Sequence, residues 1–343
     1  MKPLKITPVR AHLAALSLLM LSTGSAMAGT NALGLDPTLN LLVFQNFAPT
    51  SSDVEGRVAV GGNATMSSYS INAHNLAGTA LSVGGNLDFP NGNITGNTVV
   101  GGNLTSSYSG SYSGNVSVGG NLNASNGISG GSNTNVTVWG STTGYSPNYQ
   151  RTLVQGSGSF SQGVNFNALQ SSLTSLSTRL GGLAATSVVD YYGTLEFNAS
   201  NANGINVFDI TGTQAAQNMQ INGLGANGTV IINVLGSTVN FGNHGFSGFN
   251  NQVLFNLPTA TTLTVASVDS SILAPLASVS GGYGRINGQV VVKNWASSVQ
   301  INDVPFVGQL PLAPVPEPET YAMLLAGLGL IGAAVKRRKA KQA

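Results

Sequence analysis

Val58-Ala59-Val60-Gly61-Gly62-Asn63-Ala64 is the first of four close copies of one phrase: apolar, any, Val, Gly, Gly, Asn, apolar. It returns as Leu81-Ser82-Val83-Gly84-Gly85-Asn86-Leu87, as Thr98-Val99-Val100-Gly101-Gly102-Asn103-Leu104 and as Val116-Ser117-Val118-Gly119-Gly120-Asn121-Leu122. A worn copy follows at Val136-Thr137-Val138-Trp139-Gly140-Ser141. The steps between the Val residues at 60, 83, 100, 118 and 138 are 23, 17, 18 and 20 residues. Spacings near 20 are the signature of a solenoid whose coils stack on one another.

Alternation such as Val116-x-Val118 puts two side chains on one face of a strand and the residue between them on the other. The expected role of Gly-Gly-Asn is a sharp corner, because these residues tolerate positive φ. One coil cannot bury its apolar face alone, whereas stacked coils bury a continuous column. Ordinary β-hairpins are the alternative, since Gly-Gly is also a hairpin signal. Four near-identical copies favour the solenoid.

Only 7% of the 343 residues are charged, 42% are hydrophobic and 45 are Gly. The charge lies far below the usual quarter, yet the apolar content is not that of a disordered chain. An uncharged, β-branched chain rich in Gly, Asn, Ser and Thr suggests an extracellular β-protein. The formal charge of +2 is set by the two ends; between Gly29 and Val315 five basic residues face nine acidic ones, a net −4. Without a basic patch, nucleic-acid binding is excluded as a reading. Cys is absent, so disulfides, thiol chemistry and Cys-based metal sites are excluded too.

Both ends read as addresses. Residues 1–28 have the form of a cleavable signal peptide: basic Lys2, Lys5 and Arg10, apolar Leu13 to Leu21, and a cleavage site at Ala26-Met27-Ala28. At the other end, Val315-Pro316-Glu317-Pro318-Glu319 precedes an apolar run from Tyr321 to Val335, then Lys336-Arg337-Arg338-Lys339. Fifteen apolar residues fall short of the ~20 that span a bilayer comfortably, and basic residues just after them hold that end in the cytoplasm. This tripartite tail resembles the PEP-CTERM sorting signal of Gram-negative bacteria, with Pro316-Glu317-Pro318 as its motif. The resemblance implies an exosortase as processing partner, transient anchoring in the inner membrane, and a place in exopolysaccharide and biofilm production. A simple C-terminal membrane anchor is the alternative. The expected organisation is a signal peptide at 1–28, a β-solenoid domain at 29–310, a Pro-rich linker at 311–320, a short hydrophobic sorting helix at 321–335 and a basic tail at 336–343.

Inside the body, Leu39 to Phe44 is apolar and suits a short helix or first strand. Asp53-Val54-Glu55-Gly56-Arg57 carries three of the body's few charges and is read as a local ion pair and turn at the mouth of the solenoid. Val164 to Gly182 is the one convincing helix. Leu169, Leu173, Leu176 and Leu180 form its apolar stripe, Asn167 with Gln170 its expected cap, and Gly181-Gly182 its stop. The fold class is therefore mainly β, a solenoid with one flanking helix. Strands return at Val188–Tyr192, Thr194–Phe197, Ile205–Ile210, Thr229–Leu235, Gln252–Asn256, Leu263–Val265, Ser271–Ala274, Ala277–Val279 and Gln289–Lys293. Val230 to Val234 is apolar enough to be buried on both faces. Gln289–Lys293 is expected to add a final coil.

Asp53 to Asn63, with Ser271-Ile272-Leu273-Ala274-Pro275 and Ile286-Asn287-Gly288-Gln289-Val290 downstream, resembles the choice-of-anchor A domain over most of residues 35–310. That family is named for carrying different surface anchors, PEP-CTERM among them, and it implies placement more than mechanism. One departure is Asp303-Val304-Pro305-Phe306, where the resemblance leads one to expect a His before Pro-Phe.

Catalytic patterns are weak. His74 and His244 lack zinc spacing. No G-x-S-x-G elbow is evident, and Asp190, Glu196, Asp209 and Asp269 are scattered where glycoside cleavage needs a facing pair. The periodic Asp of calcium β-rolls is missing, and Gly-Gly-Asn lacks the helix and Lys of a phosphate loop. No cofactor or metal and no catalysis are expected. Tyr69, Tyr108, Tyr112 and Tyr145 sit among Ser, Gly and Asn, where they serve either as exposed contacts to carbohydrate or protein, or as packing on the column. The expected function is an adhesin-like surface or matrix protein binding exopolysaccharide or cell-surface components. A polysaccharide-cleaving β-helix enzyme is one alternative. An ice-binding-like solenoid is the other; it needs a flat ladder of Thr-x-Thr, for which Thr262-Leu263-Thr264 stands almost alone.

Overall fold

A computed structural model describes residues 30–107, 109–125, 128–145, 151–246 and 248–311. The signal peptide with Ala26 and Ala28, the sorting motif with Pro316, Glu317 and Pro318, the apolar tail, Lys336, Arg337, Arg338 and Tyr108 lie outside them. Among the described residues, no helix is long and apolar enough to cross a membrane.

Alternation places the repeated valines. Val60, Val83, Val100, Val118 and Val138 face inward in continuous parallel register, all buried. Each buried Val contributes roughly 1.5–3 kcal/mol. A coil turns three times: Thr79–Val83, Leu87–Phe89 and Gly92–Ile94 are consecutive strands that belong to three different sheets. These sheets are the three sides of a β-solenoid, and their ladders are parallel throughout.

The Gly-Gly-Asn corners differ from expectation. None of their residues has positive φ. The glycines are there because coils approach closely: a Cβ on Gly84 would lie 2.4 Å from the Gly61 carbonyl oxygen, and one on Gly101 2.4 Å from that of Gly84. The corner therefore selects Gly by contact between backbones, not by turn geometry.

The order of coils is not the order of sequence. In the largest sheet the strands run Thr152–Gln155, Asn135–Val138, Val116–Val118, Asn97–Val100, Thr79–Val83, Arg57–Val60, Leu39–Val43, Val290–Ala296, Ser271–Ser280, Val253–Asn256, Thr229–Leu235 and Ile205–Thr211. The chain begins mid-column, builds coils to one end, crosses to the other end and builds back to meet its own first strand. Leu41, Leu42 and Val43 pair with Val290, Val291 and Val292. The last coil in sequence is thus central rather than terminal, and Asp53 to Arg57 lies at the mid-column seam, not at a mouth. Arg57 is tied there to Asp36, Nη1 to Oδ2 at 2.6 Å.

Helix α1 (Phe166–Gly181) makes the crossing. Its 16 residues span about 24 Å, which matches five coil steps of about 4.8 Å. Phe166 starts it beside Gly61, and its far end meets Asn256, four strands away, and Asn233, five strands away. Leu173 and Leu180 are buried against Leu42, Ile231, Leu254, Leu273 and Val291, the outward residues of the largest sheet. That cover explains why Thr229 to Val234 is buried on both faces. Ser177 and Asn256 close a reciprocal pair, Oγ to Oδ1 at 2.6 Å and Nδ2 to the Ser177 carbonyl at 2.9 Å. The cap is Asn165, whose Oδ1 accepts from Ala168 N–H at 3.0 Å, and not Asn167.

Downstream, Ser271–Ser280 is one strand where two were expected, with its register shifting between Ala274 and Ser278 as it passes Pro275. Short polar strands at Thr50–Val54, Asn218–Asn222, Thr238–Asn240, Arg285–Asn287 and Gln300–Asn302 complete the coils.

Candidate contact surface

The second side of the solenoid is a ladder of stacked rungs in parallel register. Each rung is a triplet with two outward flanks, and the centre is buried in every rung except 141–143, where Thr142 is exposed. Phe47 bridges Ala64 on one side and Trp295 on the other, joining the two half-columns into one face. On one side of it the triplets are 63–65, 86–88, 103–105, 121–123 and 141–143. On the other they are 294–296, 278–280, 262–264 and 238–240. With 46–48 these make ten rungs, about 43 Å at the usual strand spacing. One row of flanks reads Thr238, Thr262, Ser278, Asn294, Asn46, Asn63, Asn86, Asn103, Asn121, Ser141. The other reads Asn240, Thr264, Ser280, Ala296, Ala48, Thr65, Asp88, Thr105, Asn123, Thr143. None of these twenty flanks is buried, and Asp88 is the one charge among them.

An asparagine spine fixes the first row. The backbone N–H of Asn46 donates to Asn294 Oδ1 at 3.0 Å, and that of Asn63 to Asn46 at 3.3 Å. The same bond links Asn86 to Asn63 at 2.9 Å, and then Asn103 to Asn86, Asn121 to Asn103 and Ser141 to Asn121, each at 2.8 Å. Asn is needed at this corner for its acceptor. With each Oδ1 engaged, the Nδ2 groups of Asn63, Asn86, Asn103 and Asn121 form a row of donors with no partner among the described residues.

Of the tyrosines read as either exposed contacts or packing on the column, two are core. Tyr69 and Tyr112 are fully buried, against Phe47 and Phe89, with edge-to-face rings 5.7 and 5.4 Å apart. Tyr112 donates its hydroxyl to Ser106 Oγ at 3.1 Å. Burial pushes both phenols up. They are core, because inward positions on these strands leave room for a ring. Tyr145 is half-buried against the column, and burial raises its phenol as well.

The carboxylates considered for sugar cleavage are not brought together. Asp190 and Glu196 lie on neighbouring strands but on opposite faces, since Asp190 pairs with Leu195 and Glu196 with Val189. Asp209 Oδ1 accepts from Asn233 Nδ2 at 2.9 Å, and Asp269 accepts from Asn287 Nδ2. His244 is buried, with Nε2 2.7 Å from the Ala215 carbonyl, and burial holds its imidazole below the usual value. His74 stands between Glu55 at 3.6 Å and Asp303 at 3.8 Å, so the acidic residue before Pro305-Phe306 meets a histidine from another coil. Among the described residues, no group of three or more His, Cys, Asp or Glu is placed to hold a metal ion.

Residues 38–303 match the family described as "Putative Ice-binding-like adhesive domain". The chain belongs to that family. Residues 314–339 match the PEP-CTERM protein-sorting motif, which implies exosortase processing and export to the cell surface. The crystal structure of an ice binding protein from an Antarctic bacterium, Flavobacteriaceae, is similar at 11% identity. The likeness covers 84% of this chain and 100% of that one, with a TM-score of 0.24. None of the curated proteins matches.

In this ice-binding-like adhesive domain, the ladder was half visible in sequence. Thr262-Leu263-Thr264 is the one Thr-x-Thr among the ten rungs, and register sets it beside Thr238 and Ser278 and in line with Asn63-Ala64-Thr65 and Asn103-Leu104-Thr105. The residue two after each Gly-Gly-Asn asparagine would have revealed the second row.

Proposed function

We propose that this protein is an exported, exosortase-sorted surface adhesin whose ladder face binds extracellular polysaccharide without catalysis. The observation that supports it most directly is the uninterrupted row of outward Asn Nδ2 donors beside Thr and Asn acceptors. A polymer with a repeating hydroxyl pattern can meet such a row at many points. Each contact is worth only about 0.5–1.5 kcal/mol net, but contacts along one chain add through effective concentration. The near absence of charge on the face limits repulsion by an anionic matrix. In this reading residues 321–335 hold the chain in the inner membrane until the exosortase removes the tail. The choice-of-anchor A motifs and a biofilm role belong to the same reading.

The test is co-sedimentation of the purified protein with exopolysaccharide from an exosortase-bearing strain. Retention that falls with added soluble polysaccharide is expected, and absence of retention contradicts the proposal.

A second reading is ice contact, favoured by the regular parallel register of the same ladder and by the family's description. Its amide-rich rows and Asp88 depart from a Thr-x-Thr array. Inhibition of ice recrystallisation by the protein, without polysaccharide retention, would favour this second reading.

A further inference from the structure

The end of the column beyond Ile205–Thr211 is closed by an antiparallel hairpin, Val189–Tyr191 with Thr194–Asn198, joined by Tyr192 and Gly193. Both joining residues have positive φ, 51° and 83°, as a two-residue hairpin turn of the primed type requires. Asn or Gly is favoured at the first of these positions, and a bulky ring there is an outlier. Asp190 fixes the turn, its Oδ1 accepting from Gly193 N–H at 2.9 Å and its Oδ2 from Gln217 Nε2 at 3.1 Å.

Closing the column explains the strands, since Leu195 and Phe197 are buried in the core. It does not explain the tip. Tyr192 is 92% exposed and Tyr191 60% exposed, with their rings edge-to-face at 4.7 Å. The strained position therefore carries a large ring that packs on no core. Strain retained at an exposed aromatic points to a contact made outside the chain.

The rest of the outward face identifies the contact. Register places Tyr191 in a row with Thr194 and Asn218, and Val189 in a row with Glu196 and Gln220. Gln220 Nε2 donates to Asn222 Oδ1 at 2.7 Å, and Asn222 Nδ2 to Asn198 Oδ1 at 3.0 Å, so the amides are held in fixed orientations. Two aromatic rings offer only a few hundred Å² of apolar surface, well below the roughly 1,200–2,000 Å² of a stable protein interface. They suit a unit the size of one sugar ring, whose C–H face stacks on an aromatic while its hydroxyls bond amides and a carboxylate.

We propose that this hairpin is a second carbohydrate subsite, in which Tyr191 and Tyr192 stack on a pyranose ring and Glu196, Gln220 and Asn218 bond its hydroxyls. It rests on the polysaccharide reading of the protein but not on the ladder. A polymer held at both places would be gripped on a side and at an end of the same column.

The test is affinity electrophoresis of the full-length chain in gels containing exopolysaccharide from an exosortase-bearing strain. The variants are Tyr191→Ala, Tyr191→Phe, Tyr192→Gly and, on the ladder, Thr105→Trp. Tyr191→Ala and Tyr192→Gly are each expected to weaken retardation at least fivefold, while Tyr191→Phe keeps it. Tyr192→Gly is also expected to leave the melting temperature unchanged or higher, because it relieves the turn. Wild-type retardation in both Tyr191→Ala and Tyr192→Gly overturns the subsite and leaves the ladder reading standing if Thr105→Trp alone loses it. A lowered melting temperature in Tyr192→Gly makes the ring structural and also overturns it. Absence of retardation in the wild type overturns both readings. Loss of binding by the Tyr variants only to deglycosylated surface protein, with polysaccharide retardation intact, makes the partner a protein and overturns the subsite.

Discussion

Asn86 donates its backbone N–H to the side-chain oxygen of Asn63 at 2.9 Å, one coil away, and the relation repeats along the face. One residue type thereby satisfies the corner's backbone donor and sets the pitch of the outward donors. Fold and contact surface share the same bond, so changes to the spine test both.

Asn103→Ala removes the acceptor for the Asn121 N–H, a bond of 2.8 Å. The corner is exposed and water can replace the acceptor, so the loss is about 0.5–1.5 kcal/mol by urea denaturation. Asn103→Asp keeps an acceptor and is expected to lose less.

Gly101→Ala drives a Cβ to 2.4 Å from the Gly84 carbonyl oxygen, in a column that has no freedom to part locally. A loss of more than about 2 kcal/mol is expected. Gly158 has φ +70° and open space around its Cβ position, so Gly158→Ala should cost only about 1–2 kcal/mol of backbone strain. Equal losses in the two would contradict the backbone-contact account of the corners.

Helix α1 crosses the seam between half-columns, and Leu173 is buried on it. Leu173→Ala should lose about 2–5 kcal/mol. Hydrogen exchange should rise at Leu41 to Val43 and Val290 to Val292, where the first and last coils pair, more than at Val116 to Val118.

His244 is held below the usual imidazole value, chiefly by burial, against a bond to the Ala215 carbonyl that acts the other way. The unfolded chain therefore binds the proton first. Stability from this residue is complete above about pH 6.5 and is lost as pH falls toward the lowered folded value. Thermal melts from pH 7.5 to 5 should show the decline, and His244→Gln should flatten it. Asp53 and Asp303, both raised mainly by burial, act in the opposite sense at lower pH, where protonation relieves them.

The repeats made the column legible because Val-x-Val before Gly-Gly-Asn marks an inward face wherever it occurs. The later coils were legible only where Val, Ile and Leu dominate, as at Thr229 to Leu235. Strands such as Gln300–Asn302 and Asn218–Asn222 were not, since a three- to five-residue polar strand takes its conformation from the neighbouring coil. The insertion of Leu39–Val43 between early and late coils is a pairing across some 250 residues, which no local pattern encodes. Tyr69 and Tyr112 were ambiguous for the same reason: their Ser/Gly setting is polar, and only register shows that they point inward. The turn at Tyr192 left no signal either, because Tyr-Tyr-Gly reads as the end of a strand.

The most direct test of the ladder as the adhesive surface is a triple variant, Thr65→Trp, Thr105→Trp and Asn123→Trp. All three residues are outward and exposed, so folding should change by no more than about 0.5 kcal/mol per site. Retention on exopolysaccharide should fall at least tenfold, about 1.4 kcal/mol, with an unchanged melting temperature. Wild-type retention in this folded variant would contradict the account.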